Sequence, residues 1–223
     1  MDSLDEITAL VINYRTPELL KKCVGSYLDF YPDARMLLID NGSRDSSIEI
    51  IRGIAGLNRN IDFILNDDNI GHGPALHQGA QTIGSPYVFT LDSDCEIIQG
   101  GYLEQMLALF ADPDLYAAGE LMYMNRFGYK MPSPQGKFIR YIHPSAMLMD
   151  RNKYIRLSKF KHHGSPCLAN MKSAAKAGYH LADFPIGEYI YHTGRGTASK
   201  YGYGLGVRHL AEYFLNRIME RAR

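Results

Sequence analysis

Two aspartates, Asp92 and Asp94, follow an apolar run of strand character at residues 87–91 and are separated by Ser93. Residues two apart in an extended chain lie on the same side, so the two carboxylates would lie next to each other. Carboxylates at that spacing repel each other unless a cation or hydrogen-bond donors lie between them. Oxygen ligands from few protein residues suit Mg²⁺ or Mn²⁺ that also carries a phosphorylated substrate. The pattern indicates a metal site, although a solvated acidic turn after a strand would have the same sequence.

Apolar runs and amphipathic repeats alternate along the first half of the chain. Strand-like runs lie at residues 7–13, 36–40, 63–65 and 87–91, and apolar residues at helical spacing follow each of the first three. This order, with short connections, is typical of βαβ units and a parallel sheet. We therefore predict a single α/β domain, a Rossmann-type αβα sandwich with a mainly parallel central sheet and an amphipathic helix at its C-terminus.

Polar residues stand at the carboxyl ends of three of the predicted strands: Asn13, Asp40 and Asp92. Ligands of open parallel sheets bind at this edge, so three polar residues along it favour a binding site. The turn at residues 13–17 lacks the glycine patterns of dinucleotide-binding turns and of P-loops. A diphosphate bound at this edge would therefore need a metal, which Asp92 and Asp94 could supply.

Composition limits the class of protein. The 223 residues are 46% hydrophobic and 22% charged, as in ordinary globular domains. The 24 basic and 24 acidic residues balance, so we expect no nucleic-acid partner. The three cysteines lack metal-ligand spacing, which fits a reducing compartment. Residues 1–6 lack an apolar signal region, and no run approaches the roughly 20 apolar residues of a membrane span, so we expect a cytoplasmic location.

Several segments together resemble the family 2 glycosyltransferases, which have the GT-A fold. The resemblance begins with residues 11–20 and 38–46 and with the Asp92-Ser93-Asp94 sequence. It continues through residues 144–160, 177–181 and 191–194. The family likeness implies one GT-A-like domain over residues 1–223, with a nucleotide-binding half at about 1–120, an acceptor-side half at about 121–206 and a final helix at 207–223.

The resemblance implies a site for a nucleoside diphosphate sugar of the UDP or GDP type. Asp40 would accept a hydrogen bond from the base, and Asp92 would lie near the ribose and the metal. The full set of residues expected around the nucleotide and sugar is Asn13, Arg15, Asp40, Asn69, Gly73, Asp92, Ser93, Arg195 and Lys200. The expected metal ligands are Asp92, Asp94 and His192, and the histidine favours Mn²⁺ somewhat over Mg²⁺.

The C-terminal part contains two further features. Residues 193–206 hold five glycines together with Arg195 and Lys200, which would close over the diphosphate. The segment before them, residues 189–191, is expected to form a short strand that returns to the sheet. Apolar residues at helical spacing over 207–223 predict an amphipathic helix that docks on the domain, forms a homodimer or contacts a membrane surface.

The sequence departs from its family just before the acceptor-side helix. Enzymes of this family usually carry an acidic pair there, one member of which is the general base, whereas residues 161–167 contain no carboxylate. A direct displacement still needs a base for the acceptor proton. His163 and His162 are the candidates, with His143 behind them, because an imidazole with an ordinary pKa near roughly 6.5 can take a proton.

The predicted function is metal-dependent transfer of a sugar, with inversion, to a saccharide, lipid-linked or protein acceptor. A nucleotidyltransferase would also need a metal and an αβα sheet, but it usually carries a glycine-rich, arginine-containing loop after its first strand, and residues 13–17 are not such a loop. The missing acidic pair leaves open a retaining mechanism and a non-catalytic nucleotide-sugar-binding protein.

Overall fold

The computed structural model describes residues 4–131, 138–161 and 165–193. The strands in these ranges are β1 (Ile7–Asn13), β2 (Arg35–Asp40), β3 (Ile61–Leu65), β4 (Tyr87–Asp92), β5 (Cys95–Ile97), β6 (Leu115–Met124), β7 (Ile139–Asp150), β8 (His180–Asp183) and β9 (Ile190–His192). The α-helices are α1 (Pro17–Phe30), α2 (Ser47–Leu57), α3 (His72–Thr82), α4 (Tyr102–Ala108), α5 (Arg151–Tyr154) and α6 (Leu168–Lys176). The strands and helices predicted for the first half are all present.

A seven-stranded sheet with the order β3-β2-β1-β4-β7-β6-β8 forms the centre of the fold. Strands β3, β2, β1 and β4 are parallel, β7 is antiparallel to both β4 and β6, and β8 is again parallel to β6. This arrangement confirms the predicted α/β class with a mainly parallel central sheet. The parallel strands bring the carboxyl ends of β1, β2 and β4 to one edge, where the polar residues lie.

The strand near residue 190 does not join the central sheet, so that part of the prediction is wrong. Strand β9 pairs instead with β5 in a separate two-stranded antiparallel sheet, with Cys95 aligned to His192 and Ile97 to Ile190. The chain turns at Ser93 and Asp94, directly after β4, and β5 then offers a free edge to β9. A short apolar run predicts a strand but not the strand with which it pairs.

Both faces of the central sheet are covered, which explains why β1 is buried along its whole length. Alternate residues of β1 face different cores: Ala9 and Val11 pack in the core that contains residues of α1 and α4, whereas Leu10 and Ile12 pack in the core that contains residues of α3 and α6. Continuous apolar runs are the expected sequence of such doubly covered strands. Within the described ranges, no helix combines the length and the apolar character needed to cross a bilayer.

Helix α3 packs on β1 at Gly79, where there is no room for a side chain. A Cβ atom at this position would meet the end of the fully buried Leu10 side chain and would lie 3.0 Å from its Cγ. The Gly79→Ala substitution should therefore lower the free energy of unfolding by about 1–3 kcal/mol through overpacking, despite the better helix propensity of alanine. Urea unfolding monitored by circular dichroism measures the change.

Gly53 in α2 provides the matched control, because a Cβ atom there would have no neighbour within 4 Å. Gly53→Ala should raise the free energy of unfolding by about 0.5–1 kcal/mol, the usual gain for removing a glycine from a helix interior. If the two alanine variants were equally stable, close packing at Gly79 would not limit that position.

Candidate functional site

Three side chains from distant parts of the sequence meet at the carboxyl end of β4. Asp92 is the last residue of β4, Asp94 lies two residues further on, and His192 is the last residue of β9. The His192 Nε2 atom is 3.1 Å from Asp94 Oδ1 and 3.9 Å from Asp92 Oδ2. The pairing of β9 with β5 places His192 there, since it aligns His192 with Cys95, the residue after Asp94.

The distances from His192 Nε2 to the two carboxylates suit ligands of one divalent cation. Neighbouring ligands of an octahedral ion with bonds of 2.0–2.1 Å are about 3.0 Å apart and opposite ligands about 4.2 Å apart. The 3.1 Å distance from His192 Nε2 to Asp94 matches that of neighbouring ligands, and the 3.9 Å distance to Asp92 lies between the two values. Two carboxylates and an imidazole are ligands that suit Mn²⁺. The ligand atoms that lie within 4.8 Å of one another belong to Asp94, Cys95 and His192, and Asp92 lies beside His192. Metal binding by Asp92, Asp94 and His192 stays a prediction.

Cys95 lies close enough to Asp94 and His192 to offer another ligand atom. Its thiol is buried and donates a hydrogen bond to the Ser145 carbonyl oxygen at 3.5 Å. Burial, with the negative charge of Asp92, raises the pKa of this thiol far above its ordinary value. Cys95 is therefore held as a thiol by its surroundings, and it lies within reach of the same ligand cluster as Asp94 and His192.

Two histidines near the acidic pair have opposite pKa shifts. The hydrogen bond with Asp94 raises the pKa of His192 above its ordinary value, although burial acts in the other direction. Burial lowers the pKa of His143, whose ring centroid lies 6.1 Å from that of His192. His192 is therefore held on the acidic pair as a hydrogen-bonded partner, and a metal ion would replace the proton between them.

His72 also belongs to this cluster, and sequence reasoning missed it. It is the first residue of α3, and its Nε2 atom lies 3.5 Å from Asp92 Oδ1. Its neighbour Gly73, a predicted binding residue, is buried in the first turn of the same helix. The sequence feature that could have identified His72 is its position between two glycines, at the start of a helix that follows a strand.

Asn13 and Asp40 form a buried polar network at the ends of β1 and β2. Asn13 Nδ2 donates to Asp40 Oδ1 at 2.9 Å, and only 1% of Asp40 is exposed. Asp40 also accepts hydrogen bonds from the Ser43 amide at 2.8 Å and the Ser43 hydroxyl at 2.6 Å. Asp40 thus shapes the loop after β2, a structural role that its sequence position did not indicate. Its contact with a nucleotide base stays a prediction.

The network extends from Asn13 to the turn between the two metal-ligand candidates. Thr16 Oγ1 donates to Asn13 Oδ1 at 2.8 Å and lies 3.0 Å from Ser93 Oγ. Thr16 and Ser93 are both buried by these contacts. Ser93 therefore faces the start of α1, while the aspartates on either side of it face His192.

The two loops beside this network hold the other predicted binding residues. Arg15 has a left-handed backbone with φ of 57°, and its amide donates to Ser43 Oγ at 2.8 Å. A non-glycine residue in this conformation costs of order 1–3 kcal/mol and is often found at functional sites. Asn69 Oδ1 accepts hydrogen bonds from Asn41 Nδ2 at 2.8 Å and from the Gly71 amide at 2.9 Å. Asn69 thus joins the loop after β2 to the start of α3.

Some predicted residues lie outside the described ranges: His162, His163, Arg195, Lys200 and the helix at 207–223. The roles expected for them as base, as diphosphate contacts and as an interaction helix stay predictions.

Solved structures share this fold. The mannosyltransferase PcManGT from Pyrobaculum calidifontis, solved with GDP-Man and Mn²⁺, aligns with a TM-score of 0.64 and 17% identity over 81% of this chain and 55% of its own. GalNAc-T7, solved with UDP, GalNAc and Mn²⁺, aligns with a TM-score of 0.67 and 14% identity over 80% of this chain and 42% of its own. Together with the sheet order and the acidic rim, these likenesses define an α/β protein with the GT-A fold.

The sequence comparison identifies the family. The profile described as glycosyl transferase family 2 matches residues 8–177, and the chain therefore belongs to this family. A curated relative, the poly-β-1,6-N-acetyl-D-glucosamine synthase of Staphylococcus aureus, is 31% identical over 120 residues. That match covers 52% of this chain but only 28% of the synthase, so the chain spans less than a third of that relative.

The first prediction at this site concerns metal binding. Asp94→Asn removes the charged oxygen nearest His192 Nε2, so it should weaken Mn²⁺ binding at least tenfold, as measured by isothermal titration calorimetry with the nucleoside diphosphate present. Asp112→Asn is the matched control, because Asp112 Oδ2 also lies 3.1 Å from a histidine, His180, in a different part of the fold. Unchanged Mn²⁺ affinity in Asp94→Asn would show that Asp94 is not a ligand.

The second prediction concerns the buried network. Asp40→Asn replaces the carboxylate that accepts hydrogen bonds from the amide and the hydroxyl of Ser43. The substitution should therefore lower the free energy of unfolding by about 1–3 kcal/mol. Asp68→Asn is the control, because the ion pair of Asp68 with Arg44 lies on the surface and should be worth less than about 1 kcal/mol. Equal stability of the two variants in urea unfolding would contradict a structural role for Asp40.

Proposed function

We propose that this protein transfers a sugar from a nucleoside diphosphate donor to a hydroxyl group, with inversion, and that Asp92, Asp94 and His192 hold the divalent cation it needs. The observation that carries the proposal is the 3.1 Å approach of His192 to Asp94, across 98 positions of sequence, at the rim of a GT-A fold. Membership of glycosyl transferase family 2 supports the reaction class. The nucleotides and Mn²⁺ in the two structural neighbours support the donor class and the metal.

The charges at the rim explain why a cation is needed. A diphosphate leaving group would approach two carboxylates, beside which the structure places His72 and His192. A bound cation would neutralise the charge that develops on the diphosphate as the sugar leaves. His72 would keep Asp92 in position, since it approaches Oδ1 of this carboxylate while His192 approaches Oδ2.

The nucleoside has a suitable place beside Asp40. A cavity of about 370 Å³ lies there, and Gly42, Arg44, Arg52 and Asn66 are among the residues that line it. Gly42 has a φ of 76°, and a Cβ atom there would lie 2.6 Å from the backbone of Asp68, so the loop after β2 needs glycine at this point. We infer that this loop contacts the base and the ribose. The hydrogen bonds of Asn13 and Asp40 would maintain its conformation.

A thermal-shift experiment tests the donor class and the metal together. UDP, GDP and ADP are added singly, each with and without Mn²⁺. UDP or GDP with Mn²⁺ should raise the melting temperature much more than nucleotide or metal alone, because the metal would join the diphosphate to the aspartates. At a hundredfold excess over Kd the gain is about 2.7 kcal/mol, or about 5–10 °C for a chain of this size. Stabilisation by nucleotide that does not depend on Mn²⁺ would contradict the proposed metal site.

A further inference from the structure

A second cavity, of about 400 Å³, adjoins the metal-ligand cluster and shares His192 with it. Cys95 of β5, which pairs with His192, also lines this cavity, as do Glu120 of β6 and Ser145 of β7. Asp183 at the end of β8 and residues 184–187, which follow it, complete the lining. None of the predicted nucleotide-binding residues that the structure describes is among those that line it, so the donor site leaves this cavity free.

The pairing of β6 with β7 is irregular beside this cavity. Gly119 of β6 pairs with Met147 of β7, but Leu121 pairs with Ile142, so the four residues 143–146 stand opposite Glu120 alone. A bulge of this kind redirects side chains and is frequent beside active sites. Here it brings Glu120 and Ser145 together at the cavity wall.

Contacts on both sides of Glu120 hold the bulge in place. The Phe184 amide donates to the Gly119 carbonyl at 3.0 Å, and the Leu121 amide donates to Asp183 Oδ1 at 3.0 Å. Gly119 has no space for a side chain, because a Cβ atom would lie 2.8 Å from the Ala146 carbonyl oxygen. The position of Glu120 is thus fixed by its backbone neighbours, while its own side chain is more than half exposed.

Apart from the metal cluster itself, three described residues beside the cavity could accept a proton from a hydroxyl group. Two of them, His143 and Asp183, already accept hydrogen bonds from backbone amides. His143 Nδ1 accepts a hydrogen bond from the Ser145 amide at 3.2 Å and lies 2.8 Å from the Ser145 hydroxyl oxygen, so Ser145 occupies this ring nitrogen. Asp183 uses one carboxylate oxygen to hold the Leu121 amide. Glu120 forms an ion pair of 3.8 Å with Lys130, and both side chains of that pair are exposed.

The lining of the cavity is of mixed polarity. Phe184, Pro185 and Ile186 offer apolar surface, whereas Glu120 and Asp183 offer carboxylates. A sugar ring has the matching character, because its hydroxyl groups lie at the edge and its C–H groups on the faces.

We propose that this cavity binds a saccharide acceptor and that Glu120 is the general base of the transfer. The inference rests on the proposed function. In the step itself, the acceptor oxygen forms a bond to the anomeric carbon of the donor as the bond from that carbon to the diphosphate oxygen breaks. The electron pair of the broken bond leaves with the diphosphate, and the hydroxyl proton passes to the Glu120 carboxylate. Glu120 would then supply the carboxylate that residues 161–167 lack.

The test compares two acceptors that differ in whether they lose a proton. Water must lose one, so with Mn²⁺ and UDP- or GDP-sugars, Glu120→Gln should hydrolyse the donor about 10²–10⁴-fold more slowly than the wild type. Azide has no proton to lose, so the same variant should form glycosyl azide within about threefold of the wild-type rate. Glu188→Gln, at an exposed glutamate of the 3₁₀ turn Ile186–Glu188, is the matched control and should leave both rates unchanged.

Several outcomes would overturn the assignment. Hydrolysis by Glu120→Gln at the wild-type rate would remove Glu120 as the base, and loss of the rate in His162→Gln or His163→Gln would give that role to the histidines. An equal loss with water and azide would show that Glu120 positions substrate rather than accepts a proton. Thermal shifts with nucleoside diphosphate and Mn²⁺ should be the same in wild type and Glu120→Gln. A wild type that shows no such shift would refute the proposed function itself.

Discussion

The antiparallel pairing of β5 with β9 is the interaction on which the candidate site depends. Asp92 and Asp94 lie at the end of a buried strand, where two carboxylates repel each other. The pairing aligns Cys95 with His192 and so brings an imidazole to the carboxylates from the far end of the described chain. The same two residues, Cys95 and His192, also line the cavity beside Glu120. One short two-stranded sheet therefore connects the proposed metal site with the proposed acceptor site.

A buried polar network supports the other side of the site. Asn13, Asp40 and Ser43 satisfy one another through hydrogen bonds, and Thr16 links Asn13 to Ser93. Such networks are costly when any member is left unpaired, so they tend to define a single arrangement of the loops they hold. In this chain the network fixes the loop after β2 relative to the turn that carries Asp94. We infer that the nucleotide and metal ends of the proposed donor site keep a constant separation for this reason.

The residue pattern predicted the parallel half of the fold well. The run at residues 7–13 is continuous and apolar, which indicates a strand covered on both faces, and β1 has those bounds and that burial. The carboxyl-edge rule then placed Asn13, Asp40 and Asp92 on one rim. These inferences need only local composition and the rules of βαβ connection.

Long-range pairing could not be predicted in the same way. Nothing in residues 95–97 or 190–192 specifies that they pair with each other, so β9 was assigned to the wrong sheet. The bulge at Glu120 depends on the register between β6 and β7, which single-sequence patterns do not contain. The burial of Asp40 could not be predicted either. The sequence around an aspartate at a strand end does not show whether its carboxylate binds a ligand or accepts hydrogen bonds from its own loop.

The central claim is that His192 and Asp94 together hold a metal on the donor diphosphate. Pulsed electron paramagnetic resonance of the protein with Mn²⁺ and its best-binding nucleoside diphosphate detects the nuclei bound around the metal. We expect phosphorus couplings from the diphosphate and coupling to one directly bound histidine nitrogen, with the nitrogen signal absent in His192→Ala. Phosphorus couplings without any histidine nitrogen in the wild type would contradict the claim.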